Sequence, residues 1–185
     1  MGVEDRTGRA RFEAVVLPHL DAAYNLARWL TRDDHAAEDV VQEAYLRALK
    51  FFGSFRGGDG KAWILAIVRN ACFDWLKLRR TEDLHDPFDE DIHSPDINRL
   101  SAGAEGAAAN PETAAAGTAT AERIGDALES LGAEYREALV LRELEGLSYK
   151  EIASIAEVPI GTVMSRLARA RKQLRKQLHL EREES

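Results

Sequence analysis

Apolar positions recur every three or four residues along most of this chain, and no run alternates with a period of two. The expected elements are therefore helices, with no strand. Phe12, Val15, Val16, Leu20, Tyr24, Ala27 and Leu30 trace one such stripe. Pro18 interrupts it and should kink or restart the helix, because proline lacks an N–H and crowds the preceding turn. Asp33 or Asp34 can cap a second helix, with Ala37, Val40, Val41, Ala44, Ala48 and Leu49 inward and Glu38, Asp39, Gln42, Glu43, Arg47 and Lys50 on the opposite face. Residues 51–60 hold four glycines and three phenylalanines and read as a loop or turn. A third helix is expected from about Lys61 to Arg80, with Trp63, Ile64, Ile67, Val68, Ala71, Trp75 and Leu76 inward.

The C-terminal pattern is tighter. A helix ends over Leu139–Leu144, and Glu145-Gly146-Leu147 breaks it. Ser148 followed by Glu151 forms a capping box: the serine accepts from an early backbone N–H, and the glutamate reaches back. This opens a short helix over 149–156 with Ile152, Ala153 and Ala156 inward, stopped by Val158-Pro159. A last helix begins near Ile160, with Gly161 and Thr162 in its first turn. Val163, Leu167, Ala170 and Leu174 keep its core face. Two helices joined by a tight turn, the second one longer, form a helix-turn-helix pattern.

Charge changes the picture only when read by segment. The 185 residues carry 25 Lys and Arg against 32 Asp and Glu, a net −7 that argues against a nucleic-acid partner. Residues 1–80 hold 13 basic and 11 acidic side chains, however, whereas 81–120 hold only Arg99 against nine acidic ones. That middle segment also contains Pro87, Pro95, Pro111 and an Ala/Gly-rich stretch, so it reads as a flexible acidic linker. Residues 121–159 are net −5, yet Arg166, Arg169, Arg171, Lys172, Arg175 and Lys176 follow with no acidic residue between Ile160 and His179. Such a helix can present Ser165, Arg166 and Arg169 to the floor of a major groove, while the later cations neutralise phosphates. The expected architecture is all-α: two small helical domains, 1–80 and 121–185, joined by the linker 81–120, the C-terminal one containing the helix-turn-helix. Each half is short for a self-sufficient core and should lean on a partner.

These runs resemble a known family. Residues 141–153 (LRELEGLSYKEIA) and 158–171 (VPIGTVMSRLARAR) closely resemble the C-terminal domain of extracytoplasmic-function sigma factors of bacterial RNA polymerase. Residues 37–45 (AEDVVQEAY) resemble the family's core-polymerase-binding helix. Phe55 through 63–70 (WILAIVRN), with Asp74, Arg79 and Arg80, resemble its promoter-melting and −10-reading segment. The resemblance implies that Glu38, Asp39, Gln42 and Glu43 dock on core polymerase. It implies that Thr162, Ser165, Arg166, Arg169 and Lys172 read the −35 element of promoter DNA.

For the −10 element and melting it implies Phe55, Arg56, Trp63, Arg69, Asn70, Asp74, Lys77, Arg79 and Arg80. Phe55 or Arg56 stacks on or clamps an extruded base, and Asn70 and Asp74 read or position its neighbours. Arg69, Lys77, Arg79 and Arg80 hold phosphates. For Trp63, core packing competes with DNA contact. Met164 and Ala168 depart from the family's usual longer or bulkier residues, which weakens transfer of a −35 base preference. In the family the linker threads the polymerase's RNA path, so Asp86, Asp89, Glu90 and Asp91 are expected to act there as an electrostatic mimic of nucleic acid.

The remaining chemistry is sparse. No nucleophile, cofactor or metal is required, and the chain is not expected to be an enzyme. His19, His35, His85, His93 and His179 are too scattered for a metal site. The single cysteine, Cys72, can form no internal disulfide, and the first eleven residues lack the apolar core of a secretory signal, so a cytoplasmic protein is expected. Two domains with exposed polymerase- and DNA-facing surfaces invite an anti-sigma partner that covers both. The alternative reading is a stand-alone helix-turn-helix regulator that binds operator DNA without polymerase.

Overall fold

The computed structural model describes residues 3–83 and 123–183, and all regular elements among them are helical. The linker carboxylates Asp86, Asp89, Glu90 and Asp91 lie outside the described residues. Helix α1 (Val3–Val16) passes through a single 3-10 turn at Leu17–His19 into α2 (Leu20–Thr31), so Pro18 restarts the helix as expected. Helix α3 (Asp34–Phe51) is capped by Asp33, whose carboxylate accepts from the Ala36 N–H at 2.9 Å. Phe52–Ser54 forms a 3-10 turn, and α4 (Gly60–Asp83) follows the loop, running three residues past the boundary expected at Arg80.

After the linker come α5 (residues 123–129) and α6 (Ala133–Leu139), which continues as a π-helical turn over Val140–Leu144. Helix α7 (Tyr149–Ala156) begins with both hydrogen bonds of the Ser148–Glu151 capping box. Glu157 closes it in the left-handed conformation (φ 54°), and α8 spans Ile160–Glu183. The buried Arg136 guanidinium donates to the carbonyls of Glu129 (2.8 Å) and Leu131 (3.1 Å), which satisfies the C-terminal end of α5. Burial lowers its pKa to about 10, with the nearby Arg32 charge acting in the same direction.

Three inward assignments change. Leu49, about 100° of helix rotation beyond the buried Ala48, is 48% exposed, and Leu20, the first residue of α2, is 45% exposed. In α7, Ile155 is buried while Ala153 is only partly covered.

The two helix groups share one contiguous apolar core, which runs from Phe12 and Leu26 through Ile64 and Val68 to Leu141, Ile152 and Leu167. Helix α2 packs on α6, and α4 packs on α7. Each half therefore leans on the other.

The N-terminus of α4 is held tightly. A Cβ added at Gly60 would lie 2.6 Å from the Val15 carbonyl oxygen and 2.7 Å from its Cγ1. The obstruction is partly backbone, which a rotamer change cannot relieve. Gly60→Ala is expected to cost about 1–3 kcal/mol. Chemical denaturation measures this, and an unshifted midpoint would show that α1 yields freely.

Candidate nucleic-acid and protein interfaces

Glu38, Asp39, Gln42 and Glu43 all stand exposed on the outer face of α3. The helix period continues that face to Leu46 and Leu49, which are 63% and 48% exposed, and Phe51 at its end is 57% exposed. The apolar stripe predicts Leu49 inward and singles out neither Leu46 nor Phe51. The signal was present in the spacing of Asp39, Gln42, Leu46 and Leu49, three or four residues apart.

The loop before α4 carries the next group. Gly57 (φ 92°) and Gly58 (φ 104°) adopt backbone conformations that disfavour any side chain. Phe55 does not project from this loop. It is 9% exposed and stacks on Phe52 at 5.6 Å, with Trp63 tilted against it at 5.2 Å. Burial of its apolar ring outweighs display to solvent, so Arg56 is the exposed candidate for clamping an extruded base. The partly buried Trp63 belongs to the same aromatic cluster and also meets Phe52 at 5.9 Å.

Along α4, Asn70, Asp74, Lys77, Arg79 and Arg80 are exposed. Asp74 lies 3.9 Å from both Arg47 and Lys77. The Arg79 guanidinium sits over the Trp75 ring at 5.2 Å and 3.8 Å from Asp33. Lys77 and Arg80 flank a cleft of about 440 Å³ between α4 and the start of α6, floored by Phe73, Leu76 and Tyr135.

Arg69 behaves differently from these neighbours. Its side chain is 15% exposed, lies over the Phe73 ring at 4.2 Å and donates from Nε to Glu137 at 2.7 Å. Glu137, on α6, is 1% exposed. From the other side Arg166 approaches Glu137 at 3.9 Å and Glu134 at 3.1 Å, and its side chain is only 14% exposed. Two arginines assigned from sequence to different promoter elements thus converge on one buried carboxylate. Arg166 is turned toward α6 and away from the outer face of α8. Long guanidinium stems reach the nearest carboxylate, and sequence spacing does not show where that carboxylate lies.

Further ion pairs join the halves. Lys61 Nζ lies 2.9 Å from both the side-chain and the backbone oxygen of Glu145, and Arg32 pairs with Glu129 at 3.2 Å. On the outer face of α8, Ser165, Arg169 and Lys172 are exposed and Thr162 is partly covered. Arg171 pairs with Glu143 at 2.7 Å.

Burial pushes the Glu137 carboxyl above the usual glutamate range, opposed by the Arg69 hydrogen bond and by the Arg69 and Arg166 charges. A raised value means that the folded chain holds this proton more tightly than the unfolded chain. Its contribution to stability is full below the unfolded value and fades as pH rises through the raised one. The melting temperature of the wild type relative to Glu137→Gln, which lacks this titration, should therefore be higher at about pH 5 than at about pH 7. Identical differences at the two pH values would exclude the shift.

The Cys72 thiol, on the buried face of α4, is pushed up to about 12 by burial and by the Glu137 charge, and so stays protonated and unreactive. Among the described residues no group of His, Cys, Asp or Glu is placed to hold a metal ion, and no helix is long and apolar enough to cross a membrane.

Comparisons with known proteins accord with this arrangement. Residues 15–82 match the family model described as Sigma-70 region 2, and residues 121–174 match that of Sigma-70, region 4. The chain is 32% identical over 174 residues to the ECF RNA polymerase sigma factor SigE of Mycolicibacterium smegmatis, covering 92% of this chain and 63% of that protein. It is 32% identical over 179 residues to the RNA polymerase sigma-H factor of Pseudomonas aeruginosa, covering 94% and 89%. To the ECF RNA polymerase sigma-E factor of Escherichia coli K12 it is 36% identical over 136 residues, covering 72% and 69%. Among solved structures, the sigma factor RpoE from Bartonella quintana, in complex with the anti-sigma factor NepR, matches with a TM-score of 0.71 at 28% identity, covering 91% and 97%.

Proposed function

Because the chain belongs to the extracytoplasmic-function sigma factors of the sigma-70 family, we propose that its outer faces divide the work of promoter-specific initiation among themselves. The domain division follows the sequence reading: 1–80 for polymerase binding and the −10 element, 81–120 as tether, and 121–185 for the −35 element. The exposed polar face of α3, extended by Leu46, Leu49 and Phe51, docks on core polymerase. Asn70, Asp74, Lys77, Arg79 and Arg80, with Arg56 on the preceding loop, meet the −10 region. Ser165, Arg169 and Lys172 on α8 meet the −35 region. Opening the duplex breaks no covalent bond, so the work required is to offset a few kcal/mol of unstacking per step.

The observation that carries this reading is the coexistence on one chain of a capped helix-turn-helix with a basic outer face and a separate exposed α3 face bearing Glu38, Asp39, Gln42 and Glu43. A stand-alone regulator has no use for the second. Run-off transcription with purified core polymerase tests it. Promoter-dependent transcripts are expected on adding the protein, and their absence would defeat the reading.

Arg69 reaches DNA only if its pair with Glu137 parts. That pair ties α4 to α6, so polymerase is expected to bind a form in which the halves have moved apart. An anti-sigma protein is the second proposed partner, supported by the Bartonella quintana RpoE structure, which was solved with one. Copurification from native cells is expected to recover it.

A further inference from the structure

The outer face of α8 carries an apolar ridge on an otherwise basic helix. Ile160, Met164 and Ala168 follow one another at intervals of four residues and so share one face. Ile160 is 49% exposed and Met164 53% exposed, and Ala168 is exposed as well. Helix α8 packs on α6 and α7 through Val163, Leu167 and Ala170, so the ridge lies away from that core face. Two of the polar side chains beside it are engaged within the fold. Ser165 Oγ donates to the Thr162 carbonyl at 2.9 Å, and Arg166 is held by Glu134 and Glu137. The first turns of α8 therefore offer a base edge chiefly apolar surface, backed by the exposed cations Arg169 and Lys172.

We propose that Met164 and Ala168, with Ile160 at the mouth of the surface, read thymine C5-methyl groups in the −35 element. At these positions the chain selects its promoter by methyl contact, and Arg166, held by Glu134 and Glu137, contributes no guanidinium bond to guanine. The inference rests on α8 being the groove-entering helix proposed above. Its chemistry follows from the major groove itself, where the thymine methyl is the one apolar group on any base edge. Residues 160–179 contain six cations and no anion, which matches a polyanionic partner better than a protein face.

The test uses the full chain with core polymerase on a promoter selected from a pool randomised over the −35 element. Each thymine of that element, on either strand, is replaced singly by deoxyuridine, which removes the methyl and keeps the pairing. At one or two positions the wild type is expected to lose about 4-fold in promoter affinity, the scale of one buried methyl-sized group. Met164→Ala should lose a similar factor on the thymine promoter and almost nothing more on the deoxyuridine one. Met164→Gln provides a second exposed substitution. Normal initiation with no deoxyuridine effect at any position would overturn the proposal and leave the sigma-factor reading standing. Equal losses by Met164→Ala on both promoters would also overturn it and place the ridge against a protein. Absence of all promoter-dependent initiation would overturn both readings.

Discussion

Replacing Glu137 by alanine should lower folding stability by about 3–5 kcal/mol, the cost of removing one partner from a buried ion pair. Glu137 is 1% exposed, and the arginines that meet it are themselves 15% and 14% exposed, so neither recovers full hydration when the carboxylate is gone. For a chain of this length that corresponds to a fall of roughly 10 °C in melting temperature. Glu137→Gln keeps the shape and one acceptor, and should recover part of the loss. Because Arg69 lies on α4 and Glu137 on α6, the alanine variant should also loosen the packing between the halves. Small-angle scattering should then report a larger radius of gyration at temperatures where far-UV dichroism is still native. A variant as stable and as compact as the wild type would show that Arg69 and Arg166 need no common counter-charge.

The second large effect is expected on holoenzyme formation. Reversing Asp39 and Glu43 to lysine places two cations on an exposed face of α3 at the loss of one exposed ion pair, Glu43–Arg47, which folding should tolerate. Interface positions of this kind cost about 2 kcal/mol or more when they are hot spots, equivalent to about 30-fold in affinity. Titration of the labelled protein with core polymerase measures that loss directly. Leu46→Ala with Leu49→Ala should give a smaller decrease of about 10-fold, since burying two leucines partially recovers less than a full side chain each. Unimpaired binding by the charge-reversal variant would remove α3 from the docking surface.

The elements and motifs were largely legible because the forces that set them are local. Asp33 and Ser148 cap helices through contacts three residues away, Pro18 interrupts one, and Gly146 follows the end of another. The exposed polar face of α3 and the basic face of α8 also follow from helical period alone. Less legible was which side chains were available to partners. The sequence presents Phe55 as a loop aromatic, yet Phe52 and Trp63 enclose it. The spacing predicts Leu49 inward, and it is exposed.

Local sequence signals set most of the helices, the Asp33 and Ser148 caps, the helix-turn-helix and the family, together with a net charge of −7 that conceals a basic helix, though not the helix over 123–129. Tertiary structure alone decided that Arg69 and Arg166 meet at Glu137, and that the halves share one core. Arg69 and Glu137 are separated by 68 positions in the chain. Burial and ion pairing sum over neighbours brought together by folding, and no helical period carries information over such a distance.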